Sequence, residues 1–300
     1  MGLSVGDAPL RSGLVALAGR PNVGKSTLAN ALAGAHVAAV SPRPQTTRRR
    51  VLAVARGEGW QAVLLDLPGF QRPADRLTER MQDTVDRTVS DTDAALFLLN
   101  AAEEVGGGDR FIAQRLAQSG LPVVVVVNQV DRVAPDRIAQ VMAQASELVP
   151  GFRAIHPVSA LTGQGLDALR AEFPSLLPEG PAYFPEGVST DQTQEEMAAE
   201  MIREAAIQRL RDEVPHALAV QVEEIEPARS GLRIAAYVLV ETESQKGIVV
   251  GKGGRMIRDI GTQARMVLTD ALRQPVHLDL QVKVRPRWRR DDAMLDRLGL

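Results

Sequence analysis

Cysteine is absent from the 300 residues. Its absence excludes a disulfide framework, thiolate metal sites and a cysteine nucleophile, and suits a reducing compartment. Lysine is scarce: Lys25, Lys246, Lys252 and Lys283 are the only four, so arginine supplies 31 of the 35 basic residues. Each remaining lysine therefore invites a functional explanation. No apolar run reaches the roughly 18–20 residues that span a bilayer. Met1 to Arg11 lacks a charged start followed by an apolar core, so no secretory signal is expected. The opening Met1-Gly2 lacks the Ser or Thr that myristoylation needs at the position held by Gly6. His36, His156, His216 and His277 show no metal-ligand spacing, which argues against a metal hydrolase. The net charge of −2 excludes a uniformly basic nucleic-acid coat but leaves local patches open. These absences point to a cytoplasmic protein, with peripheral membrane contact left open.

What is present divides in two. A 45% apolar and 24% charged composition is that of a globular protein, and the length suggests two domains. Apolar runs at 14–18, 51–55, 62–65, 94–99, 123–127 and 154–158 read as six strands. Helical patterns at 25–33, 76–90, 109–118, 135–148 and 165–172 alternate with them. Val123 to Val127 are five valines in a row, as in a strand buried on both faces of a mainly parallel sheet. The fold class expected is α/β, a doubly wound domain with a mainly parallel six-stranded sheet. Pro174, Pro178, Pro181 and Pro185 then mark a linker. Beyond it a helix at 192–212, strands at 218–225 and 232–240 joined by a Pro227–Gly231 turn, a glycine-rich loop, a helix at 255–272 and a strand at 276–284 make an α+β unit. The expected domains are 1–175, a linker at 176–190, and 191–300.

Gly19-Arg20-Pro21-Asn22-Val23-Gly24-Lys25-Ser26-Thr27 fits the phosphate-loop pattern, after a strand and opening a helix. Backbone N–H groups there can cradle phosphate oxygens, and the helix dipole favours the anion. Lys25 can pair the outer phosphates and Ser26 can ligate Mg²⁺. Asn128-Gln129-Val130-Asp131 follows the valine strand. The Asp131 carboxylate can accept from guanine N1 and N2, a donor pair adenine lacks. Asp66-Leu67-Pro68-Gly69 ends another strand, where Asp66 can reach Mg²⁺ through water and the Gly69 N–H can sense a γ-phosphate. A hydroxyl from Thr46-Thr47, most simply Thr47, can complete the Mg²⁺ shell when the γ-phosphate is present. Ser159-Ala160-Leu161 can close over the base. All these blocks except the threonine loop follow strand C-termini, where ligands sit in open α/β sheets.

In order and spacing the five blocks resemble the guanine-nucleotide signature of the translation-factor-related GTPases. One position departs: Gln129 stands where that family usually has a lysine whose stem covers the base and ties the block to the phosphate loop. Guanine selectivity is expected to survive through Asp131, with affinity reduced. Phe70 stands where Ras-like switches carry a water-orienting glutamine, so slow hydrolysis is expected. Asn22 occupies the position through which some related enzymes recruit K⁺; a plain loop hydrogen-bonding role accounts for it equally well.

The second unit carries Ile248-Val249-Val250-Gly251-Lys252-Gly253-Gly254-Arg255-Met256-Ile257-Arg258. Gly251–Gly254 is a G-x-x-G loop between apolar helical segments. Such a loop lets the backbone approach single-stranded nucleic acid, with Lys252 on phosphate. With its flanking elements it reads as a type II KH domain. Gly251, Lys252, Gly253, Gly254, Arg255 and Arg258 are candidate RNA contacts. Ile248 and Val249 are candidates for a base groove, although core packing explains them as easily. Between Lys246 and Arg290 there are 11 basic and 3 acidic residues; between Glu186 and Glu226 there are 3 basic and 11 acidic. The basic stretch is the candidate RNA footprint. Trp288 could stack on a base or cap the core.

One GTPase domain, a proline-rich linker and one C-terminal KH domain resemble the Era family of GTPases. So do Gln45-Thr46-Thr47-Arg48 and the ending from Trp288-Arg289-Arg290-Asp291-Asp292 to Leu298-Gly299. The resemblance runs from Gly13 to the C-terminus. It implies a ribosome-assembly GTPase that uses GTP, GDP and Mg²⁺ and binds the 3′ end of small-subunit rRNA on the 30S subunit. It also implies, for some members, peripheral contact with the inner membrane. We expect a monomer. Two other readings stay open on the residues alone: an RNA-binding assembly factor whose nucleotide is only structural, and a GTPase regulator at the membrane or in the cell cycle.

Overall fold

The computed structural model describes residues 10–41, 46–69, 75–148 and 151–300, and resolves two compact units. The first comprises residues 1–37, 50–71 and 82–191 and the second 38–49, 72–81 and 192–300, each within the described residues.

In the first unit β1 (Arg11–Ala18), α1 (Lys25–Ala33), β2 (Val51–Gly57), β3 (Trp60–Asp66), α2 (Arg76–Ser90), β4 (Ala94–Asn100), α3 (Gly107–Ser119), β5 (Val123–Asn128), α4 (Pro135–Leu148), β6 (Ala154–Pro157), α5 (Leu166–Arg170) and α6 (Phe173–Leu176) follow in order. The opening turns of α2, through Met81, belong to the second unit. The sheet runs β2-β3-β1-β4-β5-β6, parallel except for the antiparallel β2–β3 pair. Successive strand residues face opposite sides, which explains the valine run. Val124 and Val126 join a core with Leu17, Leu28, Leu32 and Phe173. Val123, Val125 and Val127 join one with Phe97, Ile112, Leu116 and Val141. Both faces are covered, so no polar alternation is needed.

The proline-rich stretch differs from a free linker. Its backbone pairs with the first unit: Ser12 N donates to Pro178 O (3.0 Å), Gly180 N to Leu10 O (3.0 Å) and Val54 N to Ser189 O (2.9 Å). The Gln61 amide brackets Phe184, donating to its carbonyl (2.8 Å) and accepting from its N–H (2.9 Å). Proline lacks a donor, but edge pairing asks only for its carbonyl.

In the second unit α7 (Gln194–Arg209), α8 (Val214–Ala217), β7 (Ala219–Pro227), β8 (Leu232–Val240), α9 (Glu243–Val250), α10 (Arg255–Leu272), β9 (Val276–Val284) and α11 (Asp292–Arg297) follow in order. The sheet runs β7-β8-β9, with β7–β8 antiparallel and β8–β9 parallel. One core packs Met201, Ile202 and Ala205 of α7 and Ile260, Ala264 and Leu268 of α10 against Ile234, Ala236 and Val238 of β8. A separate cluster joins Ala219 and Leu239 to Leu77, Met81, Trp288, Met294 and Leu295. Trp288 is buried and its indole donates to Ala217 O (2.8 Å), so it caps the core and cannot stack on a base. The hairpin turn needs glycine: Gly231 has φ +83°, and a Cβ there would lie 1.9 Å from Pro275 O.

Phe173 is fully buried and stacks on Trp60 at 4.7 Å between ring centroids. Phe173→Ala is expected to destabilise the first unit by about 3–5 kcal/mol, read by chemical denaturation. A loss below about 1 kcal/mol would mean that the site collapses without leaving a cavity.

Candidate functional site

The phosphate loop spans the turn from β1 to α1. Gly24 caps α1 with φ +96°, and a Cβ there would lie 2.2 Å from Asn128 Nδ2. Gly19 is as confined: its Cβ would meet Leu98 O and Val23 Cγ2, each at 2.8 Å. Asn22 is also left-handed, with φ +65°. Arg20 fixes the loop to α3 by donating to Asp109 Oδ1 (2.9 Å), while the same buried carboxylate accepts the Gly106 N–H that opens α3 (2.9 Å). No motif marks that pair, because its members are 89 residues apart.

Lys25 is almost wholly buried, and its ammonium donates to the carbonyls of Gly19 (3.2 Å) and Arg20 (3.1 Å). Burial pulls its pKa down to about 8, against the attraction of Asp66. A buried cation beside the N-terminus of a helix is suited to phosphate. Ser26 Oγ donates to Asp66 Oδ2 at 2.6 Å, so the two candidate Mg²⁺ groups converge. Hydroxyl and carboxylate oxygens are the hard donors that Mg²⁺ takes. Gly69 follows β3, and a Cβ there would sit 2.8 Å from Pro21 Cγ and 3.0 Å from Pro21 N, so its backbone lies against the phosphate loop.

Asn128 ties three blocks together. Its buried amide donates to Val23 O (2.9 Å) and accepts from Ala160 N (3.0 Å). Gln129 bridges the same way, donating from Nε2 to Asn22 O (3.0 Å). A tie from this position to the phosphate loop is therefore made by the glutamine amide. Asp131 is exposed on a single 3₁₀ turn, Val130–Arg132. Ser159 is buried and accepts the Thr162 N–H (3.2 Å), while Leu161 is exposed at the loop tip. Phe70, Pro44 and Gln45 lie outside the described residues.

Thr46 and Thr47 fall in the second unit. Arg203 donates to the Thr46 carbonyl. The neighbouring Arg48 is buried and donates to the carbonyls of Leu218 (2.7 Å), His216 (3.0 Å) and Pro215 (3.2 Å), with its guanidinium over the Trp288 ring at 5.7 Å. Burial, and after it Arg203, pulls Arg48 down to about 9, still charged at neutral pH. Within the same unit, Arg76 and Arg80 at the start of α2 pair with Asp292 and Asp296 of α11. The motif blocks assign none of these arginines a role.

At the candidate RNA loop Gly251, Gly253 and Gly254 have φ of +69°, +61° and +74°, a run of left-handed residues that side chains would strain. Lys252 and Arg255 are exposed. Arg258 turns back on the loop, donating to Gly253 O (2.8 Å) and Gly254 O (3.2 Å), so it holds the loop's shape as well as lending charge. Val249 is a correction: it is fully buried in the core, so its side chain cannot line a base groove, whereas Ile248 is about half exposed.

A family of 50S ribosome-binding GTPases matches residues 14–129, and the KH domain family matches residues 213–289. The chain is 44% identical over 295 residues to GTPase Era of Mycobacterium tuberculosis, covering 96% of this chain and 98% of that one. GTPase Era of a further Mycobacterium species is 44% identical over 294 residues with the same coverage. Among solved structures, a point variant of Aquifex aeolicus Era bound to GDP and AlF4⁻ superposes with a TM-score of 0.92 and 37% identity, covering 97% of this chain and 99% of that one. Era in complex with MgGDPNP and nucleotides 1506–1542 of 16S ribosomal RNA matches with the same figures.

Gly24→Ala is expected to weaken GDP binding at least tenfold in a fluorescence titration, because the added methyl collides with Asn128. Gly34→Ala, left-handed but in open space, should cost stability and leave affinity within about twofold. Equal loss in the two variants would contradict the steric account.

Proposed function

The chain belongs to the Era family of GTPases, and from that premise we propose a GTP-hydrolysing switch that binds the 3′ region of 16S rRNA during maturation of the 30S subunit. The observation that carries the proposal is the assignment of residues 46–49 and 75–81 to the KH-containing unit. The first stretch contains Thr47 and the second follows the Asp66–Gly69 block along the chain. A change in them on hydrolysis is therefore delivered to the RNA-binding unit through the chain itself.

In this reading Gly19, Pro21, Asn22, Val23, Gly24 and Thr27 shape the phosphate loop, and Lys25 neutralises the outer phosphates. Ser26 and Asp66 would hold Mg²⁺, and Thr47 keeps the GTP-state candidacy that its sequence position gives it. Mg²⁺, when bound, would supply electrostatic stabilisation of the phosphate charge. The Gly69 N–H reports the γ-phosphate. Asp131 reads guanine, Asn128 and Gln129 fix its block, and Ser159, Ala160 and Leu161 close over the base. Gly251, Lys252, Gly253, Gly254, Arg255 and Ile248 face RNA, with Arg258 bracing their loop. We assign residues 1–175 to the GTPase domain, except for the stretches 46–49 and 75–81 that fall in the second unit, 176–190 to a strap along the GTPase sheet and 191–300 to the KH domain. We place the protein in the cytoplasm as a monomer, with peripheral inner-membrane contact testable by lipid sedimentation. Among the described residues no helix is long and apolar enough to cross a membrane.

Multiple-turnover phosphate release should be slow and abolished in Lys25→Ala. A K⁺ role for Asn22 adds a higher rate in K⁺ than in Na⁺ buffer, and equal rates would remove it. Affinity for RNA of the 1506–1542 sequence should be higher with a GTP analogue than with GDP or no nucleotide. Equal affinity in the three states would refute the switch.

A further inference from the structure

Gln129 is poised by its backbone as well as its side chain. It has φ +65° and ψ +34°, directly after β5, and its carbonyl accepts the Arg132 N–H (3.1 Å) to close the 3₁₀ turn. That turn brings the Arg132 guanidinium back over the Gln129 side chain. Arg132 Nη1 donates to Gln129 Oε1 at 2.7 Å, while Gln129 Nε2 donates to Asn22 O at 3.0 Å. The three groups form a directed chain, guanidinium to amide to phosphate-loop carbonyl.

A glutamine alone is an ambiguous tie. Its oxygen and NH₂ are nearly the same size, and only the NH₂ end can meet a carbonyl. A flipped amide would set two oxygens against each other. Arg132 has donors and no acceptor, so it can engage only the oxygen end. It thereby turns the NH₂ end toward Asn22. A cation on the amide oxygen also polarises the amide, so the far N–H donates more strongly. The guanidinium also puts a positive charge at the head of this chain of bonds, which the neutral glutamine lacks.

We propose that Gln129 and Arg132 together do what one lysine would do at this position, with Arg132 the positioning residue that orients the Gln129 amide across the phosphate loop and so sets guanine-nucleotide affinity. The proposal rests on the reading of this pocket as the guanine-nucleotide site. The chain of bonds runs from the turn that bears Asp131 to the loop that holds the phosphates. Loosening it leaves the Asn128–Val23 bond to hold the base-binding block to the phosphate loop without this second tie, and the nucleotide leaves faster. Arg132 is exposed, so its removal should hardly change the stability of the nucleotide-free protein.

The test is a double-mutant cycle on the full chain, with fluorescent GDP dissociation and thermal unfolding as the two readouts. Arg132→Ala should speed GDP dissociation about fivefold, the effect of one hydrogen bond of ordinary strength, and leave the nucleotide-free melting temperature within about 1 °C, as for an ordinary surface substitution. Gln129→Lys should restore slow dissociation in the Arg132→Ala background, because an ammonium needs no orienting partner. It should add little in the presence of Arg132. The proposal is overturned if Arg132→Ala changes dissociation less than twofold, or if Gln129→Lys has the same effect in both backgrounds. If the unaltered protein fails to bind GDP, the reading of the pocket itself fails; GDP binding with an additive cycle defeats only the pairing.

Discussion

A charge cannot enter a protein interior without partners that replace water. The guanidinium of Arg48 is buried, and the backbone carbonyls around α8, with the face of Trp288, are what replace its water. Withdrawing it would leave those carbonyls short of a donor and the cation short of acceptors. Arg203 extends the same anchor to the Thr46 carbonyl. Residues 46–49 are thereby committed to the KH-containing unit, although they precede β2 of the GTPase sheet by only a few positions. The first turns of α2 are committed likewise, by Leu77 and Met81 in the cluster around Trp288 and by arginines on α11 carboxylates. Through these two anchorages the proposed switch would pass a nucleotide state to the RNA-binding unit.

The nucleotide pocket is organised by a different device. Asn128 is one buried amide that contacts two other blocks at once, and the glycines at 19, 24 and 69 bring backbone into contact where a methyl group would collide. These contacts fix the pocket's backbone, and fixed backbone dipoles act strongly on phosphate. The RNA loop follows the same logic with less burial. Its left-handed glycines expose backbone, and Arg258 holds their carbonyls.

Much of this is legible in the residues. The helices at 25–33, 76–90, 135–148 and 255–272 and the strands at 232–240 and 276–284 have the expected bounds, because long periodic patterns ended by glycine, proline or polar caps carry their own limits. The phosphate loop is legible because one short segment contains its whole mechanism. The prolines at 174–185 read as a linker because composition says nothing of carbonyl pairing at a sheet edge. The helix α11, six residues long, is too short to show a period. Arg20 and Arg132 carry no signal of their own, and Arg48 is marked only as the end of a block resembling the family's, with no role attached: in a chain with 35 basic residues, almost all arginine, the role of an individual guanidinium is shown only by its partners. For Arg48 and Arg20 those partners lie 170 and 89 positions away. Val249 and Ile248, adjacent in sequence, separate only once the helix shows which of them turns inward.

Binding energies are reciprocal, so if the GTP state strengthens RNA binding, RNA must strengthen GTP binding by the same factor. Dissociation of a GTP analogue and of GDP, each with and without RNA of the 1506–1542 sequence, tests this in the unaltered protein and in Arg48→Met, which keeps a buried side chain but removes the anchoring charge. The account expects RNA to slow release of the analogue and not of GDP in the unaltered protein, and to make no distinction between them in Arg48→Met with RNA still bound. The same selective slowing in both proteins would contradict the claim that Arg48 carries the coupling, and its absence from both would contradict the coupling itself.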